Sequence, residues 1–195
     1  MNAPFAFITA YLTALVSIIL HESAHIAVAA GFSAGVGWVR FTPAGMSVTL
    51  ENFDELMLVK KLSVLLAGPA VNFGFALMFF ANPLIRNTNL LIGLFNLLPV
   101  YPLDGGRVVY VVLCRLSGGL RAVRFIMGLS RILCVVMITL GLIQLILFPF
   151  NPSLFFAGVY LHKSLRRHKT MLLVKFYGDF AKKSVLFGEN LPCFD

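Results

Sequence analysis

Acidic residues are what this chain has least of: 8 Asp and Glu stand against 16 Lys and Arg in 195 residues, and only 12% of positions are charged while 59% are hydrophobic. So little charge at a mean hydropathy of +0.90 excludes a soluble globular domain and equally a solvated disordered chain, leaving an integral membrane protein. Cysteine is scarce as well. Cys114, Cys134 and Cys193 are odd in number and form no C-x-x-C pair, which argues against a disulfide framework or a Cys-rich zinc site and leaves small apolar fillers or a free thiol in the tail. No Lys or Arg precedes the first apolar run, so the charged start of a cleaved signal peptide is missing and that run is expected to stay. Internal repeats and low-complexity segments are also lacking. The net charge of +8 could suit nucleic acid, but the basic residues fall in short loops and in the tail, next to apolar spans. Membrane orientation and anionic lipid explain them, and no nucleic acid partner is expected.

What is present is a series of apolar runs. They predict an all-α polytopic membrane protein with about five transmembrane helices, at about residues 5–30, 62–83, 90–114, 126–148 and 150–161. The first is long enough for a hydrocarbon core of roughly 30 Å at about 1.5 Å per residue. Between the first two spans, residues 35–50 are rich in strand formers around Thr42-Pro43-Ala44-Gly45, the pattern of a β-hairpin. The acidic residues Glu51, Asp54 and Glu55 follow it. The organisation expected is a membrane domain over residues 1–165 and a basic tail over 166–195. With five spans, nearly all Lys and Arg share a side with that tail and the opposite side shows only Arg86. The positive-inside bias then puts the tail in the cytoplasm and the N-terminus outside.

Inside the first span lies His21-Glu22-Ser23-Ala24-His25. On a helix, residues four apart project from one face, the spacing with which two imidazoles close on a single metal ion. Glu22 sits on the turn between them, where its carboxylate can accept a proton from a water at the metal. The bland alternative is two core histidines bonded to backbone and a glutamate snorkelling to water, but ionisable groups within a span are costly and mark function by default. A catalytic zinc site needs a third ligand. The third span is broken by proline and glycine between Asn96 and Gly106, and broken backbone at membrane depth requires protein or a wet cavity around it. Asp104, in that break, is the carboxylate available inside spans two to five. Its depth, about 21 Å from Leu90, matches the roughly 24 Å of His21 from Phe5. His162 and His168 are rivals on chemistry, although they sit among Lys and Arg at the end of the last span. Asn72, at comparable depth, is a candidate oxyanion donor or, equally, an inter-helix hydrogen-bonding residue. The hairpin could hold an unwound substrate segment by β-addition, or only cover the site.

These features resemble one family, the site-2 proteases, which are intramembrane zinc metalloproteases. Its two signatures appear as His21-Glu22-Ser23-Ala24-His25 and Leu103-Asp104-Gly105, joined by Asn96-x-x-Pro99-x-x-Pro102, by Gly68-Pro69-x-x-Asn72 and by the hairpin. The resemblance implies one Zn2+ per chain held by His21, His25 and Asp104, Glu22 as catalytic acid/base, and Asn72, Asn96, Pro99 and Pro102 as oxyanion or substrate-supporting residues. It implies a membrane-associated protein substrate and regulatory membrane proteins as partners. The later spans and the Arg166-Arg167-His168 to Phe176-Tyr177-Gly178 tail look most like the bacterial sporulation branch, whose members process a membrane-associated pro-sigma factor in the membrane surrounding the forespore. That branch usually has another span before its histidines and a nucleotide-sensing CBS domain after the tail, which the residues before His21 and after Phe176 do not accommodate, so regulation by ATP is not carried over. A zinc transporter would need polar pairs along the last two spans, which hold little beyond Arg131 and Gln144. An inactive scaffold would have lost Glu22 or a ligand.

Overall fold

A computed structural model describes residues 3–32, 36–42, 45–50, 53, 56–147 and 152–187, almost entirely helical. The expected hairpin turn at Pro43-Ala44, the acidic Glu51, Asp54 and Glu55, the turn Pro149-Phe150-Asn151 and Cys193 lie outside the described residues. The elements are α1 (Ala3–Gly31), β1 (Val36–Thr42), β2 (Gly45–Leu50), α2 (Leu58–Met78), α3 (Pro83–Asn96), α4 (Asp104–Ser117), α5 (Gly119–Leu147) and α6 (Ser153–Phe187). Strands β1 and β2 pair antiparallel, Val39 opposite Val48 and Phe41 opposite Met46. Among the described residues, three helical stretches are long and apolar enough to cross a bilayer by length and composition: Phe5–Gly31, Leu58–Met78 and Gly119–Leu147. The chain is thus a multi-pass membrane protein.

The first unit comprises residues 1–98 and 103–108. In it α1 packs on α2, and α3 packs on both. Helix α1 is apolar on its exterior, with Phe7, Tyr11, Leu12, Val16 and Ile19 exposed, and turns a polar stripe inward at Ser17 and His21. That is the inverse of a soluble helix, as expected where lipid is the solvent and ionisable groups face protein. The facing stripe of α2 is small, with Gly68, Asn72 and Ala76 all buried four residues apart, which lets the helices approach closely. The expected second span ran to Pro83, but α2 stops at Met78 and Pro83 opens α3 instead. The reason is local. Proline at the first helical position loses no hydrogen bond, and Asn82 caps the helix by accepting from Leu84 N–H at 3.1 Å and Ile85 N–H at 3.3 Å. The expected third span resolves into two helices of 14 residues, α3 and α4, separated by residues 97–103. Each is about 21 Å long, too short to cross alone.

The second unit comprises residues 99–102 and 109–195. Its α5 and α6 run antiparallel, since Gly119 meets Phe176, Gly158 meets Ile138 and Gly141 meets the backbone of Phe155. Val123, Ile126, Met127, Leu165 and Leu172 form the core between them. Two expectations are corrected here. Helix α5 begins at Gly119 rather than near residue 126, carrying Arg121 and Arg124 in its first turns. The short fifth span and the basic tail are not separate pieces, because α6 is one helix of 35 residues. Leu161, Leu165 and Leu172 are buried at helical spacing, so the apolar stripe continues beneath the arginines and lysines. Ser130, fully buried on α5, accepts a hydrogen bond from Tyr101 N–H at 2.9 Å and ties down the 99–102 link.

Candidate metal centre

Two elements deliver the expected ligands to one point within the first unit. Helix α1 presents His21 and His25 one turn apart, and α4 begins on Asp104. An acidic residue in a helix's first turn is favoured by the dipole. His21 Nε2 lies 3.0 Å from Asp104 Oδ2, His25 Nε2 lies 3.2 Å from the same oxygen, and the two Nε2 atoms are 3.2 Å apart. Among the described residues these three form the one cluster of His, Cys, Asp or Glu able to hold a metal. His162 and His168 are not part of it; they lie on α6, where the His168 ring meets Tyr101 edge-on.

The outer ring nitrogens decide what the inner ones can do. His21 Nδ1 is hydrogen-bonded to Asn72 Oδ1, and His25 Nδ1 to the Val64 carbonyl at 2.7 Å. Both partners are acceptors, so each Nδ1 carries a proton, and a ring in its neutral form turns a bare Nε2 lone pair inward. The hydrogens are assigned from this network. With each Nε2 unprotonated, two nitrogen lone pairs and a carboxylate oxygen converge at only 3% exposure for His21 and 7% for Asp104. Such a set repels itself unless a cation joins it. Ligands about 2.0–2.1 Å from a tetrahedral zinc lie about 3.3–3.4 Å from one another, close to the separations seen. The residues therefore fit zinc, with each histidine held by an outer acceptor in the manner of metal-binding imidazoles.

Two glycines make the convergence possible. A Cβ on Gly68 would lie 2.6 Å from His21 Nε2 and overlap His25 Nε2 as well, so the α2 backbone itself is a wall of the site. A Cβ on Gly105 would strike the Leu97 carbonyl, so the residue after Asp104 must be bare for α4 to start against the end of the break. Glu22, next to His21, is partly buried.

The remaining expected residues are placed as follows. Asn72 is fully buried and joins three helices: its Oδ1 faces His21 on α1 and its Nδ2 donates to Asn89 Oδ1 on α3 at 2.8 Å. Asn96 closes α3 and donates to the Ile92 carbonyl of its own helix at 3.0 Å. Pro99 and Pro102 lie in the link grouped with the second unit. Asn89 was not among the expected residues; it falls between the expected spans 62–83 and 90–114. The signal was its seven-residue spacing from Asn82 and Asn96, a helical repeat of polar residues in an apolar stretch.

The comparisons agree with this geometry. The family model described as Peptidase family M50 matches residues 83–140. A zinc metalloprotease of Methanocaldococcus jannaschii is 27% identical over 80% of this chain and 49% of its own length. Stage IV sporulation protein FB of Bacillus subtilis is 28% identical over 87% of this chain and 64% of its own. The chain thus spans about half to two thirds of these relatives. The solved structure of a site-2 protease from Methanocaldococcus jannaschii shares the fold, with a TM-score of 0.66 over 82% of this chain and 76% of that one at 22% identity. The chain thus matches the peptidase M50 family model over residues 83–140, is similar to zinc metalloprotease relatives and shares the site-2 protease fold.

Proposed function

We propose that the chain is an intramembrane zinc metalloendopeptidase that hydrolyses a peptide bond of a membrane-associated protein. The observation that carries this reading is the convergence of two bare imidazole nitrogens and one carboxylate oxygen within 3.2 Å, in helices whose outer faces are apolar. His21, His25 and Asp104 are the zinc ligands. When bound, zinc supplies a Lewis acid that polarises the scissile carbonyl and acidifies the attacking water. Glu22 takes the proton from that water and returns it to the leaving amine. Proton return by the same carboxylate needs no second acid. Asn72 supports His21 rather than an oxyanion, and Asn96, Pro99 and Pro102 keep the substrate-supporting role that the family resemblance implies. A substrate helix hides its peptide bonds in internal hydrogen bonds, so it must be unwound, and an outer edge of the β1–β2 ribbon can hold the extended segment.

The orientation that goes with this reading has five crossings, α3 and α4 together making one and α6 the last. The basic face of α6 then sits on the cytoplasmic side against anionic lipid. The similarity to stage IV sporulation protein FB favours a pro-sigma factor as substrate and the membrane around the forespore as location. The test is to co-express the chain with candidate membrane-associated substrates beside its Glu22→Gln and His21→Ala forms, and to measure zinc in each purified protein. Cleavage by the wild type alone, with zinc lost only in His21→Ala, supports the protease. Equal cleavage by Glu22→Gln would favour a membrane zinc-binding or transport protein.

A further inference from the structure

Asn72 presents its oxygen to His21, and the structure contains the reason. An amide side chain could as well present its NH2, which would face the Nδ1 lone pair of the opposite tautomer and leave the proton on Nε2, pointing into the cluster. The choice is made two residues away. Asn89 Nδ2 donates to the Ile85 carbonyl at 2.9 Å, and a backbone carbonyl can only accept. That fixes Asn89 Oδ1 as an acceptor, so Asn72 must offer Nδ2 to it at 2.8 Å, and Asn72 Oδ1 is left for His21 Nδ1–H. The two amides are 0% and 2% exposed, so water does not compete for them. The chain of bonds has one consistent direction, set by the backbone of α3.

We infer that Asn72 and Asn89 are a positioning relay, anchored on the Ile85 carbonyl, that holds His21 with its Nε2 lone pair toward the metal. The inference rests on the zinc-site reading above and adds a role for α3, which supplies no ligand. Asn89 touches neither metal nor substrate and acts only through Asn72. Gly93, one turn further along α3, lets the helices come close enough for the bond, since a Cβ there would lie 3.2 Å from the Phe73 ring and 3.3 Å from Asn72 Cβ.

The test measures the rate of zinc transfer from detergent-purified full chain to a chelator, with the absorption spectrum of the cobalt-substituted protein as a second reading of the ligand geometry. Outer partners of metal-bound histidines typically contribute about 10–100-fold in affinity. Asn72→Leu should therefore lose zinc about 10–100-fold faster, and Asn89→Leu about tenfold faster, both with altered cobalt bands. Asn72→Asp keeps an acceptor at His21 and should hold zinc within a few-fold of wild type. The double variant Asn72→Leu/Asn89→Leu should be no faster than Asn72→Leu alone, because Asn89 has no independent route to the metal. Should Asn72→Leu fail to fold, the contrast between Asn89→Leu and Asn72→Asp carries the same question. Zinc lost by His21→Ala but retained at the wild-type rate by Asn89→Leu, or effects that multiply in the double variant, would overturn the relay and leave the zinc site standing. A wild-type chain that binds no zinc overturns both.

Discussion

Adding one methyl group at Gly68 should weaken zinc binding without replacing a ligand. The new Cβ would sit 2.6 Å from His21 Nε2 and 2.7 Å from His21 Cε1, with His25 Nε2 nearer still, all inside the separation at which a carbon must displace its neighbour. Neither ring can retreat freely. His21 is tied to Asn72 and His25 to the Val64 carbonyl, and Val64 and Asn72 belong to the same helix as Gly68, so moving that backbone moves the anchors too. Overpacking of this kind costs about 1–3 kcal/mol. If it falls on the metal-bound geometry, this is a loss of roughly 5–150-fold in zinc affinity at about 1.4 kcal/mol per tenfold. Gly74→Ala is the matched control on α2. Nothing lies within 4 Å of its added Cβ, and alanine is a better helix former by about 1 kcal/mol. Zinc affinity by chelator competition on the purified variants reads the difference. Equal affinity for Gly68→Ala and Gly74→Ala would refute the argument that the α2 backbone walls the metal centre.

Glu22→Gln should keep its zinc and lose cleavage by at least ~10²-fold, the low end of the usual general-base contribution, read by substrate gel shift beside zinc content. Ser130→Ala removes the acceptor for Tyr101 N–H, and the orphaned buried donor should lower stability by about 1–3 kcal/mol, read as a lower thermal midpoint in detergent. A cysteine placed beside Arg86 should be labelled from outside intact cells and a reporter after Gly178 should read as cytoplasmic. Labelling only after permeabilisation would contradict five crossings.

Where the sequence was informative, a single spacing carried the information. His21 and His25 had to share a face once the run around them was helical, and the prolines of residues 99 and 102 had to interrupt α3 and α4 because neither can continue a helix. What stayed hidden depended on packing partners or on position within a helix. Lys163, Arg166, Arg167 and Lys169 look like a solvated tail until Leu165 and Leu172 are seen to bury against α5. Asn89 falls between two expected spans until Pro83 proves to be the first residue of a helix. Gly68 reads as a small residue in a membrane span, and only the positions of two rings from another helix show why no side chain fits there.

The arrangement of these residues also bears on how the metal and the fold depend on each other. Each imidazole spends its one N–H on an outer acceptor, which leaves three electron-rich atoms facing one another where little water reaches. On the proposed reading zinc relieves that repulsion. A metal-free chain must do so otherwise, by protonating a histidine or by letting α1, α2 and α4 separate. The second route parts Gly68 from the rings and breaks the His21–Asn72–Asn89 bonds. On that reading zinc binding would contribute directly to the packing of the first unit. The second unit has a core of its own between α5 and α6, and none of its residues belongs to the cluster, so its packing does not need the metal.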